Sequence, residues 1–256
     1  MDPKTSSLSL ISLNVEGDKH WERIIPFFER ESPDVLCLQE VFEPDYMMLC
    51  RRFAMHGIFR PVALRRSRYG EQGGLMPWGV CILARPPIVS SGGRYYFGDE
   101  GAPLWHFEKA EKPEINVNRM KKVFLWLTVD CFTIGTTHFT WSAHGAASDN
   151  QRRDAEALLR AIERTPGIIA GIAWCGDLNA PRGGEIFAKF AQKYRDHIPP
   201  RYTTSIDGAL HRAGALERMM VDGLFSTPHY EVSDVALVGG LSDHMAIQAT
   251  IRKTQG

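Results

Sequence analysis

Short apolar runs recur at 8–13, 34–41, 79–84, 123–129, 131–138, 168–175, 219–226 and 232–238, each rich in β-branched, leucine or aromatic residues. Runs of that length and make-up predict β-strands, and Met245-Ala246-Ile247 begins a last one. Between them the apolar positions change period. Trp21, Ile24, Ile25 and Phe28 within 18–30, Ala155, Leu158, Leu159 and Ile162 within 149–164, and Ile186, Phe187 and Phe190 within 184–194 return every three or four residues, as on the buried face of a helix. The stretch 44–55 reads as a fourth helix. Ser148-Asp149 supplies an N-cap to the helix that follows, and Thr165-Pro166-Gly167 ends it. Gly and Pro gather at 70–77, 86–103 and 181–184, marking loops, and 91–118 is the longest stretch with little periodicity. With no repeat and no linker, strands and helices interleave through what the pattern predicts to be a single α/β domain over 1–256.

Composition narrows the partners less than the fold. Lys+Arg and Asp+Glu stand at 30 each, so no overall field draws the chain to nucleic acid or anionic membrane, and attraction must come from local clusters. Residues 1–7 lack the apolar core of a secretory signal, and 168–175 is too short to cross a bilayer, which predicts a soluble, cytoplasmic protein. Cys37, Cys81, Cys131 and Cys175 fall in strand-like runs and Cys50 on a helix. An odd number of thiols without Cys-x-x-Cys spacing fits reduced core packing.

The candidate chemistry sits where the apolar runs stop. Asp177 and Asn179 follow Ile172-Ala173-Trp174-Cys175-Gly176; if the strand continues, residues two apart face one target together. A carboxylate there can take a proton from water or bind a hard cation, and an amide can donate to a phosphoryl oxygen. Alone, Gly-Asp-x-Asn is also what an ordinary turn carries. Glu40 closes the run from Asp34, and a carboxylate leaving a buried strand needs a partner or a metal. Asn14 ends Leu10-Ile11-Ser12-Leu13, His138 ends Phe132 to Thr137, and Ser242-Asp243-His244 precedes the final strand. Asp222 is a charge inside an apolar run, which requires a partner; His244 is the candidate. If Glu40, Asp177, Asp222 and Asp243 converge, two like charges about 4 Å apart repel by roughly 4 kcal/mol at an effective dielectric near 20. A divalent cation relieves this, and oxygen donors without a Cys/His cluster favour Mg²⁺, or Mn²⁺, over Zn²⁺.

The ordered set Asn14, Gln39-Glu40, Thr137-His138, Gly176-Asp177-Leu178-Asn179, Val221-Asp222 and Ser242-Asp243-His244 resembles the endonuclease/exonuclease/phosphatase superfamily, as does the strand Trp78-Gly79-Val80-Cys81-Ile82-Leu83-Ala84-Arg85. The match spans nearly the whole chain. The resemblance implies a four-layered α/β sandwich, two mixed β-sheets packed face to face with flanking helices, and one metal-dependent phosphoesterase site. It implies Glu40 as principal metal ligand with Asp243 assisting, and Asp177 positioning or deprotonating the attacking water. Asn14 and Asn179 would contact phosphate and the metal shell. Asp222 would orient His244, which stabilises the transition state, and His138 would bind phosphate or protonate the leaving group.

Members of that superfamily cleave DNA, RNA, phosphotyrosyl–DNA links, sphingomyelin or phosphoinositides, so resemblance leaves the substrate open. Thr136-Thr137-His138-Phe139 stands where abasic-site endonucleases carry a Tyr-containing strand; the histidine is closer to deoxyribonucleases, deadenylases, sphingomyelinases and tyrosyl–DNA phosphodiesterases. Basic clusters lie at Arg51-Arg52, Arg65-Arg66-x-Arg68-Tyr69, Arg119-x-Lys121-Lys122 and Arg152-Arg153. The second, read as part of a Gly-rich loop, is the expected contact to a phosphate backbone, and Trp141 is available to stack a base. The leading expectation is a Mg²⁺-dependent phosphodiesterase acting on nucleic acid. A phosphatase or phospholipase acting on inositol phosphates or sphingomyelin-like lipids is the alternative, and a binding module without chemistry a remote third.

Overall fold

The computed structural model describes residues 7–69, 74–107, 112–212 and 219–254, and its strands form two six-stranded sheets. The first contains β1 (Leu8–Asn14), β2 (Val35–Phe42), β3 (His56–Arg66), β4 (Leu75–Ala84), β11 (Tyr230–Val238) and β12 (Ala246–Lys253), in the order β11-β12-β1-β2-β4-β3. The second contains β5 (Ile88–Phe97), β6 (Lys122–Val129), β7 (Phe132–His138), β8 (Ala173–Asp177), β9 (Arg195–Asp196) and β10 (Asp222–Ser226), in the order β5-β6-β7-β8-β10-β9. The helices are α1 (Trp21–Glu31), α2 (Glu43–Phe53), α3 (Pro113–Arg119), α4 (Asp149–Glu163) and α5 (Glu185–Ala191).

Alternation along the strands makes the layers. Leu10, Cys37 and Val80 face Leu125, Ile134 and Cys175 of the other sheet in one buried cluster. The intervening Ile11, Leu38 and Leu83 turn outward onto Trp21, Ile24 and Phe28 of α1 and Leu49 of α2. On the far side Phe124, Trp174 and Phe225 pack beneath α4 and α5, with Trp174 stacked on Phe225 at 4.7 Å between ring centroids and Phe190 edge-on to Trp174 at 5.6 Å. The result is helix, sheet, sheet, helix, the expected four-layered sandwich. Each fully buried large side chain contributes about 1.5–3 kcal/mol.

Each sheet has one central parallel pair, β1 with β2 and β7 with β8. Their carboxyl ends open on one rim, the usual place for ligands in sheets of this kind, and the antiparallel β10 and β12 begin there.

Three strands are absent from the predicted elements. The strands β3, β5 and β9, which the apolar pattern does not mark, all lie at sheet edges. β3, β5 and β9 have few buried positions, so their sequences carry no apolar run, whereas β11, also at an edge, is marked by 232–238. Much of β5, inside the predicted loop 86–103 and the aperiodic 91–118, is exposed or half-buried accordingly. The predicted strand 168–175 begins only at Ala173, after a 3-10 turn over Ile168–Ala170, and 219–226 begins at Asp222. Cys131 occupies the exposed turn between β6 and β7 rather than a strand, and all five cysteines are free. The α4 cap forms as predicted, Gln151 N donating to Ser148 Oγ at 3.2 Å. Residues 1–6, 70–73 and 108–111, which bear on the expectations for the amino terminus and two loops, lie outside the described residues.

Candidate active site

Period-2 alternation places Asn14 on the same face as Leu8 and Leu10, and Asp177 on the same face as Ala173 and Cys175. Both side chains therefore point into the seam between the sheets, at its open end. Asn14 Nδ2 donates to Asp177 Oδ2 at 3.0 Å and to Glu40 Oε1 at 3.2 Å. One amide group thus serves two carboxylates from different sheets. Because carboxylates only accept, the nitrogen must face them, and Asn14 Oδ1 accepts instead from Glu16 N at 3.1 Å.

Glu40 reaches this point through a bulge. It has φ +63°, and the β2–β4 pairing shifts register between Gln39 and Val41. The alternation runs unbroken from Gln39 to Val41 once Glu40 is left out, so Glu40 is the extra residue, freed from both packed faces. Its second oxygen takes Arg65 Nη1 at 3.0 Å. The Arg65 guanidinium lies 5.0 Å from the Trp78 ring and 5.2 Å from that of Phe107, and Trp78 stands edge-on to His138 at 6.1 Å.

His138 pairs with Asp177 across β7–β8, its Nε2 3.5 Å from Asp177 Oδ2. From the other side comes His244 Nε2, 3.7 Å from the same oxygen. His244 Nδ1 donates to Asp222 Oδ2 at 2.7 Å, the pairing the buried charge of Asp222 required. Ser205 holds this pair's backbones together: its Oγ accepts from Val221 N at 3.0 Å and Asp222 N at 3.1 Å, and its carbonyl from Met245 N at 2.7 Å.

Asn179 departs from expectation. The strand ends at Asp177, and Asn179 is left-handed at φ +48°, so the two-residue rule for extended chain does not apply. Its backbone N–H donates to Asp177 Oδ1 at 2.8 Å and its Nδ2 to Phe139 O at 3.1 Å. One amide N–H of Asn179 remains for a ligand. Gly176 is required for the approach, since a Cβ there would lie 2.0 Å from Thr137 O and its φ is +143°.

Electrostatics separate the two histidines. Burial lowers the pKa of His138 against the pull of Asp177 and Glu40, which leaves a neutral ring. Burial also opposes charge on His244, yet Asp222, Asp177 and Asp243 together outweigh it and hold that imidazole well above its ordinary value. Glu40 sits below the carboxylate range because Arg65, His138, Asn14 and His244 overcome its burial. Burial pushes Asp243 up to about 6, with His244 opposing and Glu40 and Glu16 adding repulsion.

Two groups of residues invite a cation. Ligand atoms of Asp177, Asp222 and His244 lie within 4.8 Å of one another. That trio is already a hydrogen-bonded acid–imidazole–acid chain, and a doubly protonated ring has no lone pair to give a metal. Glu40 and Asp243 fit better: both are hard oxygen donors, burial raises Asp243, and the repulsion that Glu40 adds to it is what a divalent ion relieves. Asn14 turns its nitrogen to Glu40, so it orients the carboxylates and is placed poorly as a ligand on that side.

Arg65, Glu16 and Ser205 are site residues that the motif reading did not assign. Arg65 had a signal, its basic cluster, but it lies within the last residues of β3 rather than in a loop. Of the other clusters, Arg52 pairs with Glu29, and Arg152 with Asp149 and Glu185, all solvent-facing. Trp141 is half-buried beyond His138.

The sequence model of the Endonuclease/Exonuclease/phosphatase family matches residues 11–244. No curated protein is a significant match. Among solved structures, the human Nocturnin catalytic domain with bound sulfate is 19% identical with a TM-score of 0.69, covering 97% of this chain and 94% of that one. D. rerio TDP2 complexed with single strand DNA product is 17% identical at 0.65, covering 97% and 100%. The Bacteroides thetaiotaomicron mannosyl-6-phosphatase is 13% identical at 0.66, covering 95% and 99%. At such identities the structural likeness speaks for the fold alone.

Proposed function

The chain belongs to the Endonuclease/Exonuclease/phosphatase family of phosphoester hydrolases, and on that premise we propose that it is a divalent-metal-dependent phosphodiesterase acting on nucleic acid, built as one domain over 1–256. The observation that carries this reading is the single Asn14 amide bridging Glu40 and Asp177 beside the Asp222–His244 pair. Glu40 and Asp243 would hold a Mg²⁺ or Mn²⁺ ion, which would supply Lewis-acid polarisation of the phosphoryl group. Asp177, fixed by Asn14 and by the N–H of Asn179, takes the proton of the water that attacks in line. His244 donates from Nε2 to the charge developing on the phosphoryl oxygens, its ring held by Asp222. His138, neutral and beside Asp177, donates to the phosphate or the leaving oxygen, and the remaining N–H of Asn179 would donate to the same group.

Nucleic acid is favoured by cations paired with aromatic rings along this rim. Leu64 bonds the Trp105 and Phe107 backbone, bringing Phe107 against Arg65, while Arg119 lies 4.2 Å from the Trp105 ring. Such pairs suit phosphate and base together. The net charge of zero favours the second reading, a phosphatase or phospholipase on small or lipid phosphates. We place the protein in the cytoplasm on its five free thiols; no described helix is long and apolar enough to cross a membrane.

The test is a Mg²⁺-supplemented panel of single-stranded, duplex and 5′-tyrosyl DNA, RNA, a phospholipid and a bis-aryl phosphate, with Asp177→Asn as the blank. The amide cannot take a proton, so turnover should fall about 10²–10⁴-fold with the fold retained. Near-native hydrolysis by that variant rejects the role of Asp177. Cleavage confined to small or lipid phosphates, with no salt dependence, moves the assignment to the second reading.

A further inference from the structure

His244 reaches the site from outside any ladder. The β11–β12 pairing closes at Val238 and Ala246, so residues 239–245 between them are held by other contacts. Leu241 is buried in the cluster beneath α1 and α2. On the site side the hold comes from Ser205-Ile206-Asp207, a segment between β9 and β10. Ile206 bridges His244 in antiparallel fashion. Two backbone bonds flank that pairing, Asp207 N donating to Asp243 O at 2.9 Å and Met245 N to Ser205 O at 2.7 Å. The buried Asp207 side chain adds a further contact: its Oδ2 accepts from Gly240 N at 2.6 Å, while Oδ1 accepts from Ala209 N in its own turn at 3.0 Å. A Cβ on Gly239 would lie 3.0 Å from the same Oδ2, so the loop backbone passes directly over the carboxylate.

We propose that Asp207 is a positioning residue for His244, its carboxylate pinning the 239–243 loop so that the imidazole meets Asp222 on one side and Asp177 on the other. The two N–H groups it accepts come from separate segments, Ala209 from its own turn and Gly240 from 33 positions on. Only a carboxylate offers an acceptor oxygen in both directions. An amide has one oxygen, and its NH₂ would face an N–H whichever way it turned. A backbone N–H buried without an acceptor is costly, and a loop that shifts to relieve it carries Asp243 and His244 along. Little shift is tolerable, because His244 Nδ1 lies 2.7 Å from Asp222 Oδ2 and Nε2 3.7 Å from Asp177 Oδ2, and hydrogen bonds depend on distance and angle together. Ser205 fixes the backbone of Asp222 and Asp207 that of its partner, so one short segment sets both ends of the pair. The effect on rate rests on the phosphoester reading; the effect on His244 does not.

The test is NMR of protein carrying ¹⁵N-labelled histidine, at one fixed pH. The Nδ1–H of His244 should give a downfield, exchange-protected proton resonance, assigned by its loss in Asp222→Ala. Asp207→Asn should broaden or lose that signal and, on any ester that wild type cleaves, lower kcat about 10–100-fold with KM little changed. Asp34→Ala removes the carboxylate that holds Ser9 at the far end of β1 and is the destabilised control: its melting temperature should fall and the His244 signal stay. An unchanged signal in Asp207→Asn overturns the proposal. So does a signal lost equally in Asp34→Ala, which is the mark of general loosening. Should Asp207→Asn not fold, wild type decides: the Gly240 amide should exchange with solvent at least about 10-fold more slowly than a free amide, and an unprotected one overturns the proposal. A wild type without the His244 resonance overturns it together with the Asp222–His244 pair. Failure of every ester in the substrate panel counts against the enzymatic reading and leaves the NMR result standing.

Discussion

Asn14 is where the two sheets are joined chemically. A single side chain gives one N–H to each sheet's carboxylate and receives one N–H from Glu16, so its orientation is determined three ways. The same economy governs Asp222, whose carboxylate is buried and accepts the Nδ1 proton of His244 at 2.7 Å. Removing that carboxylate leaves the imidazole without its anchor and without its nearest stabilising charge. Asp222→Ala should therefore lower kcat about 10–100-fold while KM changes little, measured by steady-state kinetics at saturating substrate. An unaltered kcat would mean the pair plays no part in the reaction. Roles of this kind were partly legible from residue types. A charge in an apolar strand demands a partner, but nothing local in the sequence indicates that Ser205 clamps both strand starts.

The bulge of β2 decides the position of the principal carboxylate. Glu40 takes a left-handed backbone at φ +63°, a conformation that costs a residue with a Cβ about 1–2 kcal/mol. The strain persists because Gln39 on one side and Val41 on the other are locked in opposite packed faces. Glu40→Gly should relieve it, raising stability in urea denaturation by about 1 kcal/mol, while titration with Mg²⁺ shows weakened binding. A variant no more stable than wild type would show that the bulge is unstrained. The same scale explains what pattern reading recovers among the strands. Central strands buried on both faces, such as β2 and β6, announce themselves as apolar runs; β3, β5 and β9, with few buried positions, do not. A bulge is likewise invisible, since it adds one residue to a run without changing its composition.

At the scale of the molecule, the outer helical layer carries a pH dependence of its own. Asp45, in the first turn of α2, is fully buried and accepts the Tyr69 hydroxyl at 2.5 Å. Burial raises its pKa to about 6, above the value of about 3.9 for an unfolded chain. The folded state therefore holds the extra proton between these limits, and its contribution to stability is present at low pH and lost as pH rises through that window. Asp45→Asn mimics the protonated form. Urea denaturation should find it equal to wild type near pH 4 and more stable by about 2 kcal/mol at pH 7; a difference that does not change with pH would place the titration elsewhere. What this sequence determined by itself was local: the two periods that separate strands from helices, the α4 cap, and the polar residues left where apolar runs stop. Those depend on a few neighbouring side chains and on which faces the backbone presents. Tertiary structure alone decided which strand ends meet across the seam, that Glu40 is thrown out by a bulge, and that Asn179 turns back. These depend on contacts between residues far apart in sequence, 163 positions for Asn14 and Asp177 and 40 for Asn179 and Phe139, which form only when strands pair and the two sheets pack together.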